Sequence, residues 1–429
     1  MRFLILSQWC WPEHDIRILP LARHLVEQGN EVTVLTGFPN YPQGKIYTGY
    51  RVRPWQWEVR DGVRILRLPL VPDHSRSSLW RSLNYLSFAA STCALGPWLC
   101  GRADAMFVYH PPLTVGVPAL WLSMLRHIPF LFEVQDMWPE TLPTTGMANN
   151  RLLYRGVGAL AKLVYRRAAA ITVISPGFKR NLIAKGVPAE KIHVVPNWTD
   201  EALFRPLPPD LKLKSEVGME GRFNVLYGGN MGPVQALGAV LDAAQRLRDL
   251  PDVQFVFIGD GIQKPELRER AREANLKNVL FHDRKPAERM AEYYALADVL
   301  LVHLQRDPLF EITIPSKTQA YLACGKPILM ATGGDAAEIV SSAGAGLVCP
   351  AEDPTAMAET VRQFYSMPRA RLQEMGERSR KVFLEQFRQE ALLECLEQLL
   401  AGIALGKRGA SMTMPSQRAC TPTRGKDQS

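Results

Sequence analysis

The sequence predicts an α/β protein built from two Rossmann-like, doubly wound domains with parallel sheets. Three observations carry this. Strand-like and helix-like stretches alternate along the chain, which is the pattern of α/β architecture. The strand-like stretches are continuous Val/Ile/Leu runs bounded by Gly and Asn, as in strands covered on both faces. Two such sets are separated by "VPNWTDEALFRPLPPDLKLKSEVG", whose proline and charge content suits an interdomain linker. The 429 residues suffice for two domains, each with its own core.

In the first set, "RFLILS" is followed by the helix pattern "LPLARHLVEQG", then by "EVTVLTG", "VRILRL", "AMFVYH", "PFLFEV" and "AITVIS". The second set runs "NVLYGG", a helix over "ALGAVLDAAQRL", then "VQFVFIG", "NVLFH", "DVLLVHL", "PILMAT" and "GLVCP". The expected domains are residues 1–204 and 205–382. The tail, 406–429, carries five Lys/Arg against one Asp and no aromatic residue, the composition of a disordered segment.

A composition of 47% hydrophobic and 22% charged residues is that of a globular protein. The formal net charge is +9, of which the tail supplies a large part. The remainder is too mild for a nucleic-acid stripe and suits anionic lipid or anionic metabolites. The seven cysteines are scattered, without CxxC or a Cys/His cluster. That implies a reducing compartment without structural zinc or a disulfide frame. "MRFLILSQWCWPE" reads as a first strand and not as a signal peptide, so a cytoplasmic location is expected.

One segment stands apart. "SLNYLSFAASTCALGPWLC" (82–100) has no charge over 19 residues and is flanked by Arg76, Arg81 and Arg102. It approaches the roughly 20 residues that span a bilayer, but Asn84, Ser87, Ser91, Thr92 and Pro97 make it a poor span. It reads either as a buried, groove-lining helix or as an interfacial helix touching a membrane.

Open α/β sheets bind ligands beyond the carboxyl ends of their strands. Two such domains facing each other would form a cleft lined by post-strand loops. The loop "QWCWPEHDIR" offers Glu13, His14, Asp15 and Arg17, either as a cleft rim or as a solvated turn with a capping Asp. "TGFPNYPQGKIYTGY" supplies Asn40 and Tyr41, in a pocket wall for a polyhydroxylated ligand or a Pro/Gly-rich surface loop. "QDMWPETLPTTG" places Gln135, Asp136, Trp138 and Glu140 directly after a buried strand. A carboxylate there is costly unless used or paired, although Asp136 also fits a helix cap.

In the second half, "YGGNMGPVQ" brings Gly229, Asn230 and Gly232 to a strand-to-helix turn, where backbone N–H groups can approach a phosphate. A tight turn needs glycine equally. "FIGDGIQKPEL" repeats the pattern. "EITIPSKTQAYLACGKPIL" reads as a helix opening at Ser316 and ending at Gly325. Ser316 and Gln319 match an S-x-x-Q capping box. Lys317 opposes the helix dipole there, by a few tenths to about 1 kcal/mol at a surface. It either points into solvent or meets a bound diphosphate. The chain has no G-x-S-x-G elbow, P-loop, H-E-x-x-H or D-x-D metal pair. No metal or other cofactor is therefore expected.

Together these residues resemble a GT-B glycosyltransferase of family GT4, in the bacterial O-antigen and capsule branch that includes N-acetyl-L-fucosamine transferases. The resemblance runs from about residue 1 to 400 and is carried by "WPE", "LTGFPNYPQGKIYTGY", "VQDMWPETL", "VVPNW", "GGNMG", "FIGDG" and "IPSKTQAYLACGKPIL". It implies a UDP-sugar held mainly by the C-terminal domain, an acceptor at the N-terminal one, and retention at the anomeric carbon. It also implies that the last helix, residues 383–405, crosses back to the first domain.

Three departures mark this chain. The family's usual Arg and Lys at the diphosphate are replaced by Asn230 and Gln235. The second glutamate of the family's E-x7-E pair is matched to Ala320, nine residues after Glu311. A histidine common in the "HD" position is Gln135. Lys317 becomes the candidate for the missing charge, with Arg284 second.

The resemblance thus assigns Glu311 to the donor sugar. Gly229, Asn230, Gly232, Ser316, Lys317 and Arg284 go to the diphosphate, and Asp136, Gln135, Glu13, Arg17, Asn40, Tyr41 and Trp138 to the acceptor. The basic flanks of 82–100 favour a polyprenyl-diphosphate-linked saccharide at the inner face of the cytoplasmic membrane. The competing readings are a nucleotide-sugar epimerase or hydrolase acting on a soluble substrate, and a non-catalytic binding protein.

Overall fold

The computed structural model describes residues 1–13, 17–75, 77–142 and 151–406. His14, Asp15 and Arg76 lie outside the described residues, as does the expected tail from residue 407 onward. The chain divides into two compact units. One comprises residues 1–174, 178–195 and 393 onward; the other comprises 175–177 and 196–392. Residues 196–204 and 383–392 thus group with the second unit, which moves both expected boundaries.

In the first unit the elements are β1 (Arg2–Leu6), α1 (Ile18–Glu27), β2 (Glu31–Gly37), β3 (Gln56–Arg60), β4 (Val63–Leu68), α2 (Ser78–Leu99), β5 (Ala105–His110), α3 (Gly116–Arg126), β6 (Phe130–Val134), α4 (Arg151–Arg167), β7 (Ala170–Val173), α5 (Pro176–Ala184, from Phe178 on in this unit) and β8 (Ile192–Val194). The sheet order is β3-β4-β2-β1-β5-β6-β7-β8. Every pair is parallel except β3 with β4. That hairpin turns on Asp61 and Gly62, at φ 50° and 77°, the conformations a two-residue primed turn demands. The central strands are buried throughout because helices cover the sheet, and α1 shows the matching stripe of Ile18, Leu21, Ala22 and Leu25.

In the second unit the elements are α6 (Leu211–Glu216), β9 (Phe223–Gly228), α7 (Gly238–Arg246), β10 (Val253–Ile258), α8 (Lys264–Glu273), β11 (Val279–His282), α9 (Met290–Leu296), β12 (Val299–His303), α10 (Pro308–Glu311), α11 (Ser316–Ala323), β13 (Ile328–Ala331), α12 (Gly334–Ser342), β14 (Gly346–Cys349), α13 (Pro354–Ser366), α14 (Arg369–Gln386) and α15 (Gln389–Gly406, up to Leu392 in this unit). Its sheet, ordered β11-β10-β9-β12-β13-β14, is parallel throughout. Alternate residues serve opposite faces: Val225, Phe255 and Leu301 join one core, and Leu226, Val256 and Leu300 the other. From Leu393 onward α15 belongs with the first unit, where Glu397 Oε2 meets His24 Nε2 of α1 at 2.9 Å.

Strand order reverses between β1 and β5 in the first sheet and between β9 and β12 in the second. Loops leaving those strands flank the place where such sheets bind ligands.

Candidate functional site

In the second unit, the loop after β9 is braced from within. Gly229 N–H donates to the Ile258 carbonyl (2.9 Å), Met231 N–H to the Asp260 carbonyl (2.8 Å) and Gly232 N–H to Gln235 Oε1 (3.0 Å). The loop after β10 presses against it so closely that a Cβ at Gly259 would lie 1.9 Å from the Gly229 carbonyl oxygen; Gly259 sits at φ +155° and Gly229 at φ +135°. This corrects the expectation that Gly229 and Gly232 offer N–H groups to a phosphate, since both already have acceptors in the fold. Asn230 and Gln235 are bonded to each other at 3.3 Å, and the Asn230 carbonyl accepts from the Tyr227 hydroxyl at 2.6 Å. His303, at the end of β12, fixes Gln235 further. Its Nδ1 lies 2.7 Å from the Gln235 carbonyl, and its Nε2 accepts from Glu352 N–H at 3.2 Å. That pattern requires a neutral ring, consistent with the lowering of its pKa by burial.

The start of α11 differs from the capping box expected. Pro315, extended and without an N–H, is the N-cap, and Ser316 is the first helical residue with no side-chain cap. Gln319 turns its amide group toward the Pro315 and Ser316 carbonyls, at 2.7 and 3.0 Å, where only its nitrogen can donate. The Ser316 hydroxyl is therefore not engaged in capping.

Lys317 is neither solvated outward nor ion-paired. Its Nζ lies 3.7 Å from the centroid of the Tyr227 ring and 3.5 Å from where a Cβ on Gly229 would stand. The ammonium is shielded from solvent, and among the described residues no acceptor reaches it. Burial lowers its pKa to about 7. A cation–π contact contributes about 0.5–2 kcal/mol, less than the several kcal/mol that burying an ammonium costs. An anion at the mouth of the β9 loop would supply the difference.

Glu311 ends α10, whose start is capped by the Asp307 carboxylate accepting from Leu309 N–H at 2.8 Å. It is exposed and stands against the turn that opens α12: a Cβ at Gly333 would lie 3.5 Å from its Oε1. Glu311, Ser316 and Lys317 thus share the segment between β12 and β13. Arg284 follows β11 at the far edge of the sheet, with β10 between it and β9. Among the described residues no hydrogen bond or ion pair joins it to Lys317.

In the first unit, two expected acceptor contacts have other jobs. The Glu13 carboxylate is buried and accepts from the backbone N–H groups of Asn40 and Tyr41 (both 2.7 Å) and Cys10 (3.1 Å). Burial raises its pKa to about 7 against those hydrogen bonds. Glu13 therefore pins the loop after β2 to the loop after β1. Arg17 is equally buried and pairs with Glu133 in the middle of β6, its pKa lowered by burial to about 9. Asn40 is also interior: it accepts from Asn84 at 3.2 Å and donates to the Phe38 carbonyl at 3.0 Å. Its neighbour Tyr41 stays partly exposed, 4.8 Å from the Trp9 ring.

Gln135, Asp136 and Trp138 follow β6 in a turn, so Asp136 does not cap a helix. Asp136 has no hydrogen-bond partner among the described residues, and burial raises its pKa to about 6. On the neighbouring strand lies a residue the sequence reading passed over. His110 ends β5, on the switch point; it is fully buried, with its ring 5.1 Å from Phe132 and 6.5 Å from Trp138. Among the described residues neither ring nitrogen has a partner, and burial lowers the pKa to about 3. Its position as the last residue of the strand "AMFVYH" was the available signal.

Family comparison matches residues 15–198 to a glycosyl transferase 4-like domain and residues 222–367 to glycosyl transferases group 1, together more than three quarters of the chain. The chain belongs to the glycosyltransferases. This glycosyltransferase is 28% identical over 320 residues to the putative colanic acid biosynthesis glycosyl transferase WcaI of Escherichia coli, covering 71% of this chain and 76% of that one. It is 26% identical over 298 residues to the probable glycosyltransferase WbjE of Pseudomonas aeruginosa, covering 66% and 73%. Among solved structures, sucrose-phosphate synthase from Thermosynechococcus elongatus superposes with a TM-score of 0.69 at 17% identity, covering 95% of this chain and all of that one. HepE of Anabaena, in complex with UDP and glucose, gives a TM-score of 0.67 at 17% identity, covering 93% and 99%. The two Rossmann-like units of this glycosyltransferase are thus those of the GT-B fold.

Proposed function

We propose that this glycosyltransferase moves a sugar, with retention, from a UDP-sugar to a polyprenyl-diphosphate-linked saccharide during bacterial surface polysaccharide synthesis. L-FucNAc or a related deoxy-amino sugar is the proposed cargo, and the inner face of the cytoplasmic membrane the place of work. The observation that carries the reading is the shielded Lys317 ammonium beside the β9 loop, which among the described residues has no acceptor. The names of WcaI and WbjE and the UDP bound in HepE support the reading.

In this scheme Lys317 and the Ser316 hydroxyl hold the diphosphate at the start of α11, with Asn230 at the loop tip. Charge develops on the diphosphate as the glycosidic bond to the donor breaks, and a preformed ammonium in a shielded site stabilises it without reorganisation. Glu311 faces the hydroxyls of the donor sugar or the positive charge developing at its anomeric carbon. Asp136, with Gln135, Trp138 and Tyr41, orients the acceptor, and Arg284 meets phosphate only at long range. Glu13, Arg17 and Asn40 act by holding the loops that present those groups.

The test is UDP affinity of Lys317→Met by calorimetry. A hydrogen bond to a charged group contributes about 1.5–3 kcal/mol, so affinity should fall roughly ten- to 150-fold. Unchanged affinity would sink the assignment.

A further inference from the structure

α2 is built inside out. Its polar residues face the protein: Asn84 Nδ2 donates to the Val71 carbonyl at 2.7 Å, and its Oδ1 accepts from Gln8 Nε2 at 2.6 Å. Ser87 Oγ accepts from Val71 N–H at 2.9 Å, and Ser91 Oγ donates to the Pro69 carbonyl at 2.7 Å. Several of its large apolar residues face away, although Phe88 is buried. Leu79 is 76% exposed and Leu86 57%, with Leu83 between them on the same side, and Trp98 is 83% exposed. Leu79, Leu83 and Leu86 recur at i, i+4 and i+7 and form one stripe, roughly 10 Å long at 1.5 Å per residue; Trp98 is exposed near the other end of the helix, about 100° round its axis. α3 packs alongside, joined by Trp121 Nε1–H donating to the Cys93 carbonyl at 3.1 Å, and adds exposed Trp121 and Met124 (55%). Scattered exposed leucines are ordinary; large exposed apolar residues grouped on two adjacent helices mark a contact surface.

Charge selects the occupant. None of α2, α3 or α4, which pack in series, contains an Asp or Glu. α4 instead presents Arg151, Arg155, Lys162 and Arg166 on its exposed side. A second copy docking by a two-fold axis would set this basic face against itself. Anionic lipid complements both features, taking the leucines into its acyl boundary and the arginines at its headgroups, with the indoles of Trp98 and Trp121 between. Among the described residues no helix is long and apolar enough to cross a membrane, so the face lies on a bilayer and does not span it.

We infer that the α2–α3 face, flanked by the basic side of α4, docks the protein on an anionic bilayer surface. This deepens the reading of a lipid-linked acceptor, but it is tested without turnover.

The full chain is sedimented with vesicles of phosphatidylglycerol and phosphatidylethanolamine, and with vesicles of phosphatidylcholine alone. It should bind the anionic vesicles at least tenfold more tightly. The double variant Leu86→Glu, Trp98→Glu should lose at least tenfold of that binding, and Arg155→Glu with Lys162→Glu several-fold. Retained thermal stabilisation by UDP shows that each variant is folded. As a second readout, brominated lipid should quench the tryptophan fluorescence of the wild type more than that of Trp98→Phe. Wild-type protein left in the supernatant, equal binding to neutral vesicles, or undiminished binding of the double variant overturns the inference. So does a dimer that Leu86→Glu dissociates while vesicles capture nothing. Vesicle binding without any sugar transfer would refute the transferase reading and leave the docking face standing.

Discussion

Lys317 makes UDP affinity depend on pH in a way that can be calculated. Its pKa in the ligand-free protein is lowered to about 7 by burial. A diphosphate placed against the ammonium removes the reason for that shift, so bound UDP should raise the pKa toward the ordinary lysine value. UDP then binds the protonated form, and each pH unit well above 7 costs about tenfold in affinity, or 1.36 kcal/mol. Between pH 7 and pH 9 the fall should be about 50-fold. The assay is isothermal calorimetry of UDP at pH 6, 7, 8 and 9, with proton uptake read from buffers of different ionisation enthalpy; uptake should approach one proton above pH 8. Lys317→Met should bind weakly, with neither the alkaline decline nor the uptake.

The same group makes a stability prediction of opposite sense. Between pH 7 and the unfolded lysine value near 10.4, the unfolded chain holds a proton that the native, ligand-free protein lacks. Native stability should therefore rise through that window, by an amount on the order of a few kcal/mol, and Lys317→Met should abolish this contribution. Flat UDP affinity from pH 6 to 9, or an alkaline decline surviving in Lys317→Met, would refute the reasoning.

Other outcomes follow from the same geometry. Glu13→Ala leaves three backbone N–H groups, two of them buried, without their acceptor; urea unfolding should show a loss of about 2–4 kcal/mol, with UDP affinity unchanged. Asp136→Asn should lower the turnover of sugar transfer at least tenfold without weakening UDP binding. In wild-type protein, kcat/KM should fall on the acid side with an apparent pKa near 6, where the raised Asp136 value places it. Ser316→Ala removes a hydroxyl that caps nothing, so UDP affinity should fall about three- to tenfold while the melting temperature stays fixed. Gly259→Ala would put a Cβ 1.9 Å from the Gly229 carbonyl; it should lower the melting temperature and, by displacing the β9 loop, weaken UDP binding.

The parallel-sheet architecture was legible because strands covered on both faces leave unbroken runs such as "VQFVFIG" and "DVLLVHL". The β3 edge strand was missed: "QWEVR" alternates and is half exposed, and its signal was the Asp61–Gly62 dipeptide behind it. At the site, the type of residue was legible but its partner was not. Lys317 was singled out by the dipole it opposes. That it rests on Tyr227 and not on solvent depends on the pairing of β9 with β12 and the seating of α11, which no local pattern encodes. Glu13 and Arg17 looked like cleft-rim charges because a charged loop reads the same whether its carboxylate meets a sugar or three backbone amides. The capping box failed for a local reason: Pro315 takes the N-cap, moving Ser316 one position into the helix. In α2, Asn84, Ser87 and Ser91 marked the helix as a poor membrane span, but only the structure shows that they point inward.

The most direct test of the central claim is UDP release from a panel of UDP-sugars, with and without polyprenyl-diphosphate-linked GlcNAc, by wild type and Lys317→Met. The account predicts release that requires the lipid-linked acceptor, matches product formed one for one, and falls at least tenfold in Lys317→Met. Release that proceeds equally without acceptor, or that Lys317→Met leaves unchanged, would contradict it.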